Sequence, residues 1–318
     1  MLVNSILLFF QLQIKAKEVK MGNIIDAIDH KKILVSDGAW GTMLQSYGFK
    51  TGDCPEYWNI EHPEIVMQIA QSYIDAGADI IETNSFGGSK IKLKHFSLDD
   101  KCYELNFNAA KISREAAKNK LVMGSVGPTG KFLSMGEITK EELFDSFYAQ
   151  IKGLVDGGVD AVCIETFYDL DEAEIAFNAA KEFENIDIIT SFTFDKTSDG
   201  EYFSIMGVTP EEMTKQMIDF GADIIGSNCG NGFENMIEIS KKIHKTNSEI
   251  PILVQANAGI PELIDNKIVY SESPEFASRI SKEIIKNGVN IIGGCCGTTP
   301  EHIKLIRKTV DEILGEVK

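Results

Sequence analysis

A short phrase recurs along this chain and limits its fold more than any other feature. It reads Gly77-Ala78-Asp79-Ile80-Ile81, Gly158-Val159-Asp160-Ala161-Val162, Gly221-Ala222-Asp223-Ile224-Ile225 and Gly288-Val289-Asn290-Ile291-Ile292. Each copy is a glycine, a polar step and a short apolar run. Glycine after a helix supplies the left-handed C-cap. A brief, bounded apolar run reads as a strand buried on both faces. Amphipathic stretches lie between the copies. Ile65, Val66, Ile69, Ala70 and Tyr73 share one face of a predicted helix over 63–76, and Ile303, Ile306, Val310 and Ile313 share another. Pro63, Pro210, Pro274 and Pro300 fall near helix starts, where a missing N–H costs little.

Strands are predicted near 33–37, 78–83, 121–126, 160–165, 187–194, 222–227, 251–256 and 289–294. Helical stretches follow most of them, and that alternation implies a parallel sheet. Eight such units fit an α/β fold of one kind, a single (β/α)8 TIM barrel running from about Met21 to Lys318. No Gly-x-Gly-x-x-Gly follows the first strand, which weighs against an open dinucleotide-binding sheet. The polar connection 84–101 reads as a substrate loop. Residues 1–20 read as an N-terminal extension, either an upstream start or a peripheral helix. Their apolar run, Ile6 to Phe10, is too short to span a bilayer, with no basic stretch before it.

The formal net charge is −17. That balance argues against nucleic acid or an anionic membrane as partner, since both require clustered Lys and Arg. Six cysteines in 318 residues do not make a disulfide scaffold, and two of them, Cys295 and Cys296, are neighbours. Reduced thiols imply a reducing, cytoplasmic setting.

In a barrel, chemistry gathers at the C-terminal ends of the strands. Asp37-Gly38-Ala39-Trp40-Gly41, Glu82-Thr83-Asn84, Glu165-Thr166, Asn228-Cys229, Asn257 and Cys295-Cys296 all stand there. Cys229, Cys295 and Cys296 suggest a thiolate site for Zn²⁺ with a fourth position open to a thiol substrate. Zinc would hold that thiol as a thiolate at neutral pH. Cys54, Cys102 and Cys163 lack the glycine-flanked, strand-end context and are assigned to packing or surface. The histidines show no metal or triad spacing, and His62 and His302 read as local to helix starts. Gly124 to Gly130 lacks the Lys-Ser/Thr ending of a phosphate loop and reads as a tight rim turn. Asp37 and Glu165 have two readings: a cap or salt bridge, or an ammonium site for an amino-acid substrate. Backbone N–H groups from Gly38 to Gly41 could take the carboxylate of such a substrate. Asn257 reads either as one further hydrogen bond to it or as a turn residue before Gly259.

These residues resemble the homocysteine S-methyltransferase family. The resemblance rests on Asp37 to Gln45, Glu82 to Phe86, Gly124 to Gly130 and Gly293 to Pro300, in family order, and covers about 30–316. It implies a (β/α)8 barrel, zinc on Cys229, Cys295 and Cys296, and homocysteine bound by Asp37 and Glu165, with Asn257 a weaker match. No catalytic group is implied beyond the zinc-bound substrate thiolate. Asp37 to Gln45 is most similar to the cobalamin-dependent members, which carry methionine where Trp40 stands. The expected reaction is methyl transfer to homocysteine, giving methionine, from methylcobalamin on a separate corrinoid protein. S-methylmethionine, betaine or another donor is the alternative, as is a different thiol acceptor.

Overall fold

The computed structural model describes residues 24–50, 52–264 and 267–315. The extension 1–20 and its two readings lie outside the described residues. Eight parallel strands form one sheet: β1 (Leu34–Val35), β2 (Ile80–Glu82), β3 (Leu121–Val126), β4 (Ala161–Phe167), β5 (Asp187–Phe192), β6 (Ile224–Gly232), β7 (Ile252–Asn257) and β8 (Val289–Gly294). Their spatial order is β1-β8-β7-β6-β5-β4-β3-β2. A parallel bridge between Ser36 and Ile80 joins the two ends, so the sheet closes into the expected (β/α)8 barrel. The first strand is shorter than predicted because the chain leaves the sheet at Asp37 to form the rim.

One helix, α1 (Ile24–Lys31), precedes the barrel. Eight follow the strands in turn: α2 (Pro63–Asp75), α3 (Cys102–Ala117), α4 (Lys140–Gly157), α5 (Leu170–Ala180), α6 (Pro210–Phe220), α7 (Phe233–Thr246), α8 (Pro274–Lys286) and α9 (Pro300–Leu314). The repeated phrase has the expected geometry. Gly77, Gly158, Gly221 and Gly288 have φ of 101°, 99°, 97° and 86°, the left-handed region that ends a helix and turns the chain into the next strand. Thr139 and Thr209 close capping boxes at the starts of α4 and α6. Val66, Ile69, Ala70 and Tyr73 of α2 are fully buried, as are Ile303, Ile306 and Val310 of α9. Ile313, predicted on the same face, is exposed.

Two apolar layers hold the barrel. The outer one lies between strands and helices. The inner one fills the lower barrel with Leu34, Ile80, Met123, Cys163, Leu253 and Ile291, among others, and α1 adds Ile24, Ala27 and Ile28 to it. The N–H of Ile25 donates to Asp187, tying α1 to the start of β5. Each such buried side chain is worth roughly 1.5–3 kcal/mol. The plug has a functional consequence: with the lower half filled by apolar side chains, the interior polar groups concentrate toward the C-terminal rim. Cys54, Cys102 and Cys163 are all buried. The 84–101 connection is not structureless, for it holds a helical turn at Lys90–Leu93 and two 3-10 turns. Only Gly127 to Gly130 form the turn after β3, since Gly124 lies within the strand. No helix among the described residues is long and apolar enough to cross a membrane.

Candidate metal centre and acid-lined cavity

Cys229, Cys295 and Cys296 converge at the rim, each half-buried, with their Sγ atoms within 4.8 Å of one another. Two local devices bring them there. In β6 the register with β7 slips between Asn228 and Gly232, and Cys229 takes φ 57°. That left-handed conformation, uncommon in a non-glycine residue, turns its side chain out of the strand alternation. In β8 the strand ends at Gly294. The Cys295 N–H then donates to the Ala256 carbonyl at 2.7 Å, and the Thr298 hydroxyl to the Cys295 carbonyl at 2.7 Å. The thiols hydrogen-bond one another. Donation from Cys229 and Cys295 holds Cys296 low, at about 3. Cys229 is pulled down by Cys295 but pushed further up by Cys296 and burial, to about 11. The bonds to Cys229 and Cys296, with burial, push Cys295 well up. Three sulfurs held this close form a donor set that a soft cation would complete.

Beside the sulfurs lies a cavity of about 300 Å³, with Glu82, Glu165, Gln255, Trp40 and Phe86 among its walls. Among the described residues no Lys, Arg or His lines it. Glu165 is reached through a second left-handed residue. Thr166 has φ 60°, and the β4–β5 register slips between Ile164 and Phe167. The Glu165 carboxyl accepts from the Ser125 hydroxyl and, at 2.9 Å, from the Asn228 amide. Asn228 also donates to the Thr166 hydroxyl at 2.7 Å, and its carbonyl oxygen accepts from the Thr166 N–H and the Ser191 hydroxyl. Burial pushes Glu165 up to about 7.

Asp37 is fully buried, and it stands behind the cavity wall rather than on it. Its Oδ2 accepts from the Glu82 N–H at 2.9 Å and from the Trp40 indole at 3.0 Å, while its Oδ1 has no partner among the described residues. Burial pushes it up to about 7. Gly38 does line the cavity, and a Cβ there would lie 2.7 Å from the Thr298 hydroxyl. In the Gly38–Gly41 loop the Ala39 N–H is already taken by Thr298 at 3.1 Å. Asn257 ends β7, buried, with its Oδ1 unpartnered among the described residues, and stands outside the cavity lining. His302 is local, bonded to Thr299 and to the Glu272 carbonyl.

Four residues here have roles that the sequence does not assign: Gln255, Asn228, Thr166 and Glu82. Gln255 donates to Glu82 at 3.1 Å across the barrel. Asn228, Thr166 and Glu82 read from the sequence only as strand-end polar groups. The inward parity of strand positions could have pointed to Gln255, a lone amide in an apolar strand.

The fold and the site together define a class: a closed barrel that gathers three thiols on its rim beside an acid-lined cavity. The homocysteine S-methyltransferase model matches residues 34–310, nearly the whole chain, and the chain belongs to that family of methyltransferases acting on homocysteine. Methionine synthase of Mycobacterium leprae (strain TN) is 30% identical over 299 residues, covering 88% of this chain and 24% of that protein. Methionine synthase of Mycobacterium tuberculosis (strain ATCC 25618 / H37Rv) is 29% identical over 310 residues, covering 92% and 26%. The chain thus spans about a quarter of the length of these curated relatives. Among solved structures, the homocysteine methyltransferase MmuM from Escherichia coli in its metallated form has the same fold. It superposes with a TM-score of 0.72 at 23% identity, covering 89% of this chain and 98% of that one.

Proposed function

We propose that this chain transfers a methyl group to the thiol of homocysteine, giving methionine, with Zn²⁺ held by Cys229, Cys295 and Cys296. The convergence of the three sulfurs carries the reading. Zn–S bonds of ~2.3 Å place the sulfurs of a tetrahedral site ~3.8 Å apart, and sulfurs already within 4.8 Å need only small side-chain rotations to reach that. Bound there, zinc lowers the pKa of a fourth, incoming thiol and so supplies a sulfur nucleophile at neutral pH.

The chain's own residues do the rest. The cavity suits an amino acid in size. Its uncompensated carboxyls suit an ammonium group, and the apolar plug below keeps the substrate at the rim. The transfer is a displacement. The thiol proton leaves, the sulfur's electron pair forms the new S–CH₃ bond, and the pair of the old bond to methyl departs with the donor. We take the donor to be a methyl-corrinoid. The mycobacterial relatives are named methionine synthases, and Asp37 to Gln45 resembles the cobalamin-dependent members. A corrin ring exceeds this cavity, so it meets the sulfur at the mouth, borne by a separate corrinoid protein or by another domain. Free thiols at the site fit a cytoplasmic setting.

Zinc analysis and methionine formation from methylcobalamin, in wild type and Cys296→Ala, test this. The wild type should hold one zinc and form methionine, and the variant should lose both. Unchanged zinc in the variant overturns the ligand assignment. Turnover only with S-methylmethionine or betaine overturns the corrinoid donor, and turnover only with another thiol overturns the acceptor.

A further inference from the structure

Cys229, Cys295 and Cys296 all stand on the cavity wall. A methyl group brought to the mouth therefore meets three ligand sulfurs as well as the substrate's own. A methyl placed on a ligand would disable the site, so turnover requires the ligand sulfurs to be the poorer nucleophiles. The connection from β7 to α8 runs against the turn that carries Cys295 and Cys296. It holds an antiparallel hairpin of Glu262–Ile264 with Lys267–Val269. Backbone hydrogen bonds pin it on both sides of that hairpin. The Ala258 N–H donates to the Cys296 carbonyl at 2.9 Å, and the Glu272 N–H to the Ala258 carbonyl at 2.9 Å. The Glu272 carboxyl also accepts from the Phe233 N–H at 2.9 Å, at the start of the helix that follows the Cys229 strand. Between these anchors stands Tyr270. Gly297 takes φ 80°, and a Cβ there would overlap the Tyr270 ring, so the ring lies directly on the backbone of the thiol turn. The Tyr270 hydroxyl donates to the Cys296 sulfur. Tyr270 is half-buried and stands outside the cavity lining, so it touches the ligand and not the substrate space. Cys229 has a backbone counterpart to this donor in the Gly230 N–H.

We propose that Tyr270 is a positioning residue that makes Cys296 a poor nucleophile: its hydroxyl draws charge from that sulfur, so the methyl goes to the incoming thiol and not to the ligand. This rests on the zinc reading above and adds to it a residue that touches neither the ion nor the substrate. A hydrogen bond to a ligand sulfur occupies a lone pair that would otherwise attack, and it lowers the charge left on the others. The ring on Gly297 fixes where the hydroxyl stands, and the pinned connection fixes the ring. An incoming thiol enters from the cavity, where Tyr270 does not reach, so its sulfur keeps the electron pair that Cys296 has partly surrendered.

The test compares wild type with Tyr270→Phe, which keeps the ring on Gly297 and removes only the hydroxyl. Both are held in excess zinc and treated with methyl iodide without homocysteine, and peptide mass spectrometry reads which cysteine is methylated. In that displacement the sulfur's electron pair forms S–CH₃ and iodide leaves with the pair of the old bond. Methylation of Cys296 should be about tenfold faster in the variant, the scale of one hydrogen bond to a charged group, with Cys229 and Cys295 within about twofold of wild type. With Co²⁺ in place of zinc, the sulfur-to-cobalt charge-transfer band should move to longer wavelength in the variant, because a sulfur without its donor gives up charge more readily. Cys296 methylated at the wild-type rate overturns the assignment. So does an equal acceleration at all three cysteines, which would mark a loosened turn, and so does an unshifted band. A wild type that takes up neither zinc nor cobalt overturns the metal reading and this inference with it, an outcome distinct from the others.

Discussion

The Asn228 side-chain amide donates to the Glu165 carboxyl at 2.9 Å, one residue before the candidate metal ligand Cys229. That bond links the strand that bears a sulfur to the strand that bears an acid. Asn228 makes four side-chain hydrogen bonds in all, while fully buried. They hold Thr166 and Cys229 near conformations that neither residue prefers.

Asn228→Ala should therefore cost about 2–4 kcal/mol of stability, since it strands several buried groups at once. Asn228→Asp keeps the acceptor but sets a second carboxyl against Glu165. It should cost less at low pH than at high pH, because the two acids repel only when both ionise. Urea unfolding of both variants at pH 5 and pH 8 measures this. Equal losses at the two pH values for Asn228→Asp would sink the proposed pairing.

Much of the barrel was legible because its signals are local. The Gly-polar-apolar phrase reports a helix end and a buried strand within seven residues, and the strand predicted at 289–294 matches β8 residue for residue. The grouping of Cys229 with Cys295 and Cys296 was legible too, because all three stand at the C-terminal ends of strands that a barrel brings to one rim. What stayed hidden depends on rotation about a strand. Nothing local says that Asp37 turns behind Glu82, that Thr166 takes a positive φ, or that Gln255 reaches across the barrel. Those are set by register slips and by which side chain wins the interior space.

Asp37 should make stability fall as pH rises. Burial, its largest influence, holds its folded pKa up to about 7, well above the unfolded value. Below pH ~4 the carboxyl is protonated in both states. Between ~4 and ~7 the folded protein keeps a proton that the unfolded chain has released, so stability declines through that window. Asp37→Asn removes the dependence. The variant should gain on the order of 1–3 kcal/mol relative to wild type on going from pH 5 to pH 8. A wild-type-minus-variant difference that is flat across this range would refute the buried-acid argument. Activity should still drop, because the Glu82 N–H loses its anchor.

At the opposite end of the barrel, Asp79 has the reverse sign. Burial opposes its charge, but Lys31 at 2.8 Å, with Lys120 and the Val35 N–H, outweighs that and holds its pKa below the usual value. Arg307 also reaches it at 2.8 Å. Its stabilisation is present above the unfolded pKa and is lost as pH falls through the lower folded value. Asp79→Ala leaves Arg307 and the Val35 N–H without their carboxylate and should cost about 3–5 kcal/mol at pH 7. Turnover of the folded variant at low temperature should be close to wild type, since Asp79 stands at the N-terminal face, away from the rim. Thermal unfolding and steady-state rates on one preparation separate the two effects.

Gly294 is where the metal centre depends most on an absent side chain. A Cβ there would lie 2.2 Å from the Thr298 Oγ1 and 2.6 Å from its Cβ and Cγ2. Thr298 cannot yield freely, because its hydroxyl donates to the Cys295 carbonyl and accepts from the Ala39 N–H. Gly294→Ala must therefore push Thr298 and the Cys295–Cys296 turn together, while the helices outside remain packed. Zinc affinity should fall about 10–100-fold, as when an outer partner of a metal ligand is lost, with the far-ultraviolet spectrum unchanged. Adding Thr298→Gly removes the obstructing atoms at the cost of two hydrogen bonds, and should recover part of the affinity. Competition with a chromophoric chelator reads all three proteins. If Gly294→Ala binds zinc like wild type, the turn is not fixed by this contact, and the sulfurs owe their convergence to β6 alone.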